Sequence, residues 1–257
     1  MSPAGADIDG RRHRRRHHPA PDFEPARVAA LFDRNAATYD RINTVITFGL
    51  DALWRRWAAR QAAGSQGLRV LDACAGTGLL ARDLARRGAR VTAADAAPGM
   101  LAVACARLAS DGRAVRLVVA DLTDPPAVAA LGGPFDAITI GFGLRYFADP
   151  AAVLRPLHGL LAPGGRLVVV EAVSPPRDLR GTAAGLYFFE VAPRVGAALA
   201  RRAELYRFLT DSTRALGYGD DLAAHLGRAG FTVVTRRRFA CGVVAGFVVV
   251  PSASAAA

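Results

Sequence analysis

Arg69-Val-Leu-Asp72-Ala-Cys74-Ala-Gly76-Thr77-Gly78 (RVLDACAGTG) is the stretch on which the fold of this chain turns. Its first half is a short aliphatic run that closes on an acid. Its second half is a turn with two glycines, and an amphipathic stretch from Leu79 to Arg87 follows. Strand, glycine turn and helix in that order open a βαβ unit. Gly76 and Gly78 let the backbone turn sharply and approach a ligand, and the N-terminus of the next helix offers free N–H groups. Tight packing without a ligand gives the same pattern, so the loop alone names nothing.

Working outward, further strand-like runs lie at Val91–Asp95 (VTAAD), Val115–Asp121 (VRLVVAD), Phe135–Gly141 (FDAITIG) and Arg166–Val173 (RLVVVEAV). Helical patterns such as Pro98–Leu108 separate them, which predicts a buried, mostly parallel sheet in an α/β fold. Two adjacent runs, Phe231–Arg236 and Val243–Val250, are expected to pair as an antiparallel edge. Two segments stand outside the alternation. Glu24–Arg60 reads as helix, turn and helix, and Leu186–Ala215 reads as an aromatic helical insert. In an open α/β sheet such additions can close over a ligand beyond the carboxyl ends of the strands.

Three strands in succession end in acids, Asp72, Asp95 and Asp121, the second lying 23 residues after the first. An acid at Asp95 is placed to accept from both hydroxyls of a ribose, and one at Asp121 from an adenine amino group. The loop lacks the third glycine of a dinucleotide fingerprint, and the chain has no lysine to serve a phosphate-binding loop. An uncharged loop among acids suits a cationic nucleoside better than a pyrophosphate, and S-adenosylmethionine answers that description.

These motifs resemble the ubiquinone/menaquinone C-methyltransferases, over about residues 28–247. The opening Phe32-Asp-Arg-Asn-Ala-Ala-Thr-Tyr39-Asp40, with Asn43, Phe48-Gly49 and Trp54, is similar to the start of that family. Leu71–Gly78 matches its cofactor loop, Ala94-Asp95 with Met100-Leu101 the next segment, and Ile138–Arg145 (ITIGFGLR) its signature. LAPGGRLVVVE at Leu161–Glu171, Tyr206-Arg-Phe-Leu209 with Asp211-Ser212, and Ala229-Gly-Phe231 continue the likeness. The resemblance implies a Rossmann-like class I fold: a mostly parallel seven-stranded sheet with an antiparallel C-terminal strand and helices on both faces. It implies S-adenosyl-L-methionine as cofactor, held by Tyr39, Asp72, Gly76, Thr77, Gly78, Asp95, Asp121, Leu122 and Gly141. Arg145 and Asp211 are the implied catalytic residues, and Tyr146, Tyr187, Tyr206 and Phe247 the implied acceptor pocket. The implied reaction is methyl transfer to a ring carbon of a prenylated quinol.

Each role has a plainer alternative. For Arg145 it is a salt bridge to Asp136 or Asp149, for Asp211 one to Arg207 or Arg214, and for the aromatic stripe simple core packing. The departures from the family fall on the acceptor side: Tyr146 stands for its asparagine, Asp211 for its glutamate and Phe247 for its histidine. A retained cofactor site beside an altered acceptor site keeps a second reading open. In it the acceptor is a soluble phenolic, quinone-like or polyketide metabolite, methylated at C, O or N.

Length and composition agree with one large domain. The 257 residues are 52% hydrophobic and 21% charged, ample for a core and far from disordered composition. The expected division is an Arg/His-rich disordered tail at 1–22, one domain at 23–250 with the insert at 186–216, and a loose end at 251–257. His13, His17 and His18 in the tail sit among arginines, and no metal site is expected. Cys74, Cys105 and Cys241 are too scattered for disulfides and read as reduced core cysteines. The charge is +11 and all 33 basic residues are arginine, which suits an anionic lipid face or substrate as readily as nucleic acid. With no RNA-binding module appended, nucleic acid is not an expected partner. No apolar run approaches the roughly 20 residues of a membrane span, so a cytoplasmic protein is expected. Peripheral membrane contact and a homodimer are compatible with that reading.

Overall fold

The computed structural model describes residues 21–200 and 203–252. The tail and its histidines, apart from residues 21 and 22, lie outside that range, as do residues 253–257.

The sheet has seven strands: β1 (Arg69–Ala73), β2 (Arg90–Asp95), β3 (Val115–Val119), β4 (Phe135–Gly141), β5 (Leu161–Ala172), β6 (Phe231–Phe239) and β7 (Val244–Pro251). Their order is β3-β2-β1-β4-β5-β7-β6, with β1 to β5 parallel and β7 antiparallel to both β5 and β6. This is the mostly parallel α/β sheet expected from the sequence. Strand order reverses between β1 and β4, so the crevice beyond their carboxyl ends is the natural ligand position.

Side-chain alternation divides the core between the two faces. Leu71, Ile138, Ile140, Val169 and Phe247 pack with α7 (Pro150–His158) and α11 (Gly219–Arg228). Val70, Val91, Val168, Val170 and Val248 pack with α3 (Leu50–Ala62), which brings Trp54 and Trp57, and α4 (Leu79–Arg86). A third cluster lies over the crevice. There α1 (Pro25–Asp33) and α2 (Ala36–Ile46) meet the start of α5 (Pro98–Ser110) and helix α10 (Ala203–Leu216) through Phe32, Ile42, Met100 and Tyr206.

Several expectations need correction. The N-terminal segment is three helices rather than two, because Phe48 and Gly49 (φ 53° and 74°) break α2 from α3. The insert begins at α8 (Leu179–Leu186), runs through a π-helical turn at Tyr187–Val191 and continues as α9 (Ala192–Ala200). Its first turns were hidden by Gly181 and Gly185, poor helix formers used here because a Cβ would strike Pro176 and Pro175. Strand β7 reaches Pro251, and Ser252 N–H donates to Gly230, so the loose end starts later than 251. Of the cysteines, only Cys74 is partly buried. Cys105 faces solvent from α5 and Cys241 sits on an exposed 3-10 turn. No helix among the described residues is long and apolar enough to cross a membrane.

Candidate active site

The glycine turn after β1 is wrapped around the acid that ends β2. Gly76 (φ 54°) donates its N–H to Asp95 Oδ2 at 2.7 Å, and Ala97 N–H donates to Oδ1 at 2.9 Å. Gly78 (φ 76°) caps α4, and a Cβ on it would lie 2.8 Å from Ala104 Cβ, so only glycine lets α4 and α5 close up here. Burial raises the Asp95 pKa, opposed by those two N–H bonds. Its carboxylate keeps lone pairs free for further donors.

Asp72 is fully buried. Its Oδ1 accepts from Thr139 Oγ1 at 2.7 Å, while Oδ2 has no partner among the described residues. Burial pushes its pKa up to about 7. Asp121 Oδ1 accepts from the Thr123 N–H and hydroxyl, both at 2.8 Å. Helix α2 closes the front: Thr77 Oγ1 donates to Asp40 Oδ1 at 2.7 Å, and Arg107 bridges Asp40 Oδ2 and the Thr77 carbonyl. That clamp sets Tyr39, one residue earlier, against the same cavity.

The cavity continues towards the 3-10 turn Leu144–Tyr146 after β4. There Arg145 is buried, its Nη1 donating to Glu171 Oε1 and to the Phe142 carbonyl, and its Nη2 donating to the Tyr146 hydroxyl. Glu171 has no exposed surface and accepts from the Ala172 N–H as well. Burial works against the Arg145 charge, but its Tyr146, Glu171 and Tyr39 neighbours outweigh it and raise the pKa, so the guanidinium stays charged. Tyr146 stacks on Phe208 (5.5 Å, 19°) and lies 4.9 Å from Phe32, which makes this end aromatic.

Electrostatically the two ends differ. Among the described residues, the two arginines that line the cavity are each ion-paired, Arg55 with Asp51 at 2.5 Å and Arg145 with Glu171. Asp72, Asp95 and Asp121 have no such counterion among the described residues. The loop end therefore favours a cation, and the far end an apolar ring that carries a hydrogen-bonding oxygen.

Of the residues singled out in the sequence, Tyr39, Asp72, Gly76, Thr77, Asp95, Asp121, Leu122, Gly141, Arg145, Tyr146 and Tyr206 all line this one cavity. Gly78 stands behind the loop. Three others are elsewhere. Phe247 is fully buried under α11, because strand parity turns it away while Val244 faces the cavity. Asp211 pairs with Arg214 at 3.5 Å, its plainer alternative. Tyr187 donates to the Ile46 carbonyl at 2.8 Å and packs on Phe48, joining the insert to α2. Arg145 does form a buried salt bridge, but to Glu171. Asp136 instead accepts from the Arg69 N–H, and Asp149 caps α7. Asp40 and Glu171 stand inside family motifs, but neither they nor Arg107 carry a site role in the sequence reading, because their partners lie 26 to 67 residues away and no local pattern links them.

Comparison with known proteins bears on the family and the fold. Residues 21–250 match the model of the ubiE/COQ5 methyltransferase family. A demethylmenaquinone methyltransferase of Clavibacter sepedonicus is 41% identical over 222 residues, 86% of this chain and 89% of that protein. One from Thermus thermophilus is 40% identical over 205 residues, 79% and 92% of the two chains. Among solved structures, a SAM-dependent methyltransferase from Aquifex aeolicus aligns with TM-score 0.56 at 16% identity, covering 82% of this chain and 96% of that one. Magnesium protoporphyrin IX methyltransferase from Synechocystis with bound SAH aligns at 0.57 and 20%, covering 88% and 100%. The structural likenesses establish the fold, and the sequence match goes further: this chain belongs to the ubiE/COQ5 methyltransferase family.

Proposed function

We propose that this methyltransferase moves a methyl group from S-adenosyl-L-methionine to a ring carbon of a demethylmenaquinol or related prenylated quinol. The observation that carries the reading is the two-ended cavity, with unpaired carboxyls at the glycine loop and a buried, charged Arg145 among aromatic rings at the other end. The cofactor fits the loop end: Asp95 and Asp121 retain acceptor capacity, and the orphaned Asp72 Oδ2 gives a cationic ligand a carboxyl to compensate. Bound there, S-adenosylmethionine supplies an electrophilic methyl group on a positive sulfur.

The chain's residues do the rest. A quinol ring carbon becomes nucleophilic when the neighbouring hydroxyl loses its proton. Arg145 cannot accept that proton, because a guanidinium stays charged to above about pH 12. Its positive charge lowers the pKa of the hydroxyl and stabilises the oxyanion, while water takes the proton. Glu171 holds the guanidinium in one orientation through the Nη1 and backbone contacts. The aromatic wall aligns the ring and excludes water, and such alignment can be worth roughly 7–11 kcal/mol.

One observation favours the second reading, a soluble phenolic or quinone-like acceptor. The Tyr146 phenol occupies the acceptor end and engages Arg145 through its hydroxyl. The deciding experiment is a mass-spectrometric assay with isotopically labelled S-adenosylmethionine and a short-chain demethylmenaquinol under reducing conditions. Label on the quinol ring carbon is the expected result. Intact cofactor binding without transfer, which persists in Tyr146→Asn, would discard the quinol.

A further inference from the structure

We propose that the turn between α2 and α3, together with the adjoining outer face of α8 and α9, docks this protein on a bilayer containing anionic phospholipid. The proposal rests on the reading of the acceptor as a prenylated, lipid-borne quinol.

Phe48 carries the argument. It is 74% exposed and sits at φ 53°, a left-handed conformation that a bulky L-residue adopts at a cost. A chain that only needed to reverse direction here would place a small or polar residue at that tip. Other apolar side chains around it are exposed too. Leu50 and Leu53, three residues apart, share a face of α3. Leu186 adjoins Tyr187, whose ring lies 5.4 Å from that of Phe48. Val191 and Val195, four residues apart, extend the patch along the start of α9. Exposed apolar side chains gathered in this way mark a contact with something outside the chain.

Charge selects the occupant. Arg41 lies one turn before the exposed Val45, Arg56 one turn after Leu53, and Arg180 beside Leu179. All three arginines are exposed and make no ion pair among the described residues. The neighbouring acids are engaged: Asp51 holds Arg55, Asp178 caps α8, and Glu190 accepts from Arg194 and pairs with Arg214. An apolar centre with a basic rim matches an anionic membrane interface. The patch also borders the site. Ile46 and Thr47, directly before Phe48, line the cavity, as do Phe188, Ala192 and Pro193 in the insert. An acceptor with an isoprenoid chain resting in the bilayer would enter the cavity between these two elements.

The test is sedimentation of the full chain with vesicles of phosphatidylcholine alone or with about 30% phosphatidylglycerol, comparing wild type with Phe48→Asp/Leu53→Asp. Neither residue lines the cavity, and the arginine-rich N-terminal segment is common to both proteins, so the difference reports the patch. Wild type is expected to bind the anionic vesicles several-fold better than the neutral ones. The variant is expected to lose at least about 10-fold in partitioning while its melting temperature and cofactor affinity hold. Its transfer to a short-chain soluble quinol should persist while transfer to a long-chain quinol in vesicles falls. Equal binding by both proteins, or none by wild type, overturns the proposal. So does a wild-type dimer that the variant loses without any vesicle binding, since a second copy then covers the face. Vesicle binding with no transfer to any quinol would defeat the acceptor reading and leave the docking intact.

Discussion

At the residue scale, Asp95 does two jobs: it is the expected ribose acceptor, and it holds the Gly76 N–H that shapes the loop. Asp95→Ala should weaken S-adenosylmethionine binding by 10- to 100-fold by calorimetry, since hydrogen bonds to a charged group are worth about 1.5–3 kcal/mol each. A folded variant with unchanged affinity would remove Asp95 from the cofactor site. Asp72 predicts a pH effect. Its folded pKa of about 7 lies above the ordinary 3.8, so the folded state keeps a proton that the unfolded chain has lost. Its contribution to stability therefore falls as pH rises from about 4 to about 7, and Asp72→Asn should flatten that slope in melting curves. A cationic ligand favours ionised Asp72, so cofactor binding should release protons near pH 7 and tighten as pH rises. Calorimetry in buffers of different ionisation enthalpy measures this, and equal heats after correction would contradict it. Asp72, Asp95 and Asp121 were legible because each lies within two residues of the carboxyl end of a strand. Glu171 was not, since only the pairing of β4 with β5 brings it to Arg145.

At the element scale, the parallel strands were readable because burial on both faces makes them near-continuous aliphatic runs. The sequence predicts edge strand β6 only as far as Arg236, because Arg236-Arg237-Arg238 looks like a loop, whereas the strand runs on to Phe239. On a solvent-facing edge such charges are tolerated, and Arg236 pairs with Asp220. Phe247 lies away from the cavity, unpredicted for a different reason: sequence gives the alternation along β7 but not which face meets the cavity. One close joint between elements is the approach of α4 to α5 at Gly78. Gly78→Ala adds a Cβ 2.8 Å from Ala104 at positive φ, and should cost about 1–3 kcal/mol in denaturant unfolding. An unchanged midpoint would mean that the two helices part easily.

At the scale of the whole molecule, charge is divided by location: the chain carries +11, while its cavity holds unpaired carboxyls. Buried groups are screened less than surface ones. Raising salt from 0.1 to 0.5 M should therefore change cofactor affinity less than about 3-fold, and a 10-fold change would place binding on exposed charges. The overall architecture and the cofactor half of the site were legible in the sequence, because local motifs build them. The acceptor half depends on helices far apart in the chain, α1, α2, α9 and α10, whose packing no local pattern records. The joint action of the two halves is tested most directly by single-turnover methyl transfer to a short-chain demethylmenaquinol, comparing wild type with Arg145→Met/Glu171→Gln. Removing both charges avoids stranding a buried one, which would cost roughly 3–5 kcal/mol. The double variant should fold and bind S-adenosylmethionine as wild type does, yet transfer its methyl group about 10²–10³-fold more slowly. Transfer at the wild-type rate would contradict the role given to Arg145, and no transfer by wild type with cofactor bound would contradict the acceptor.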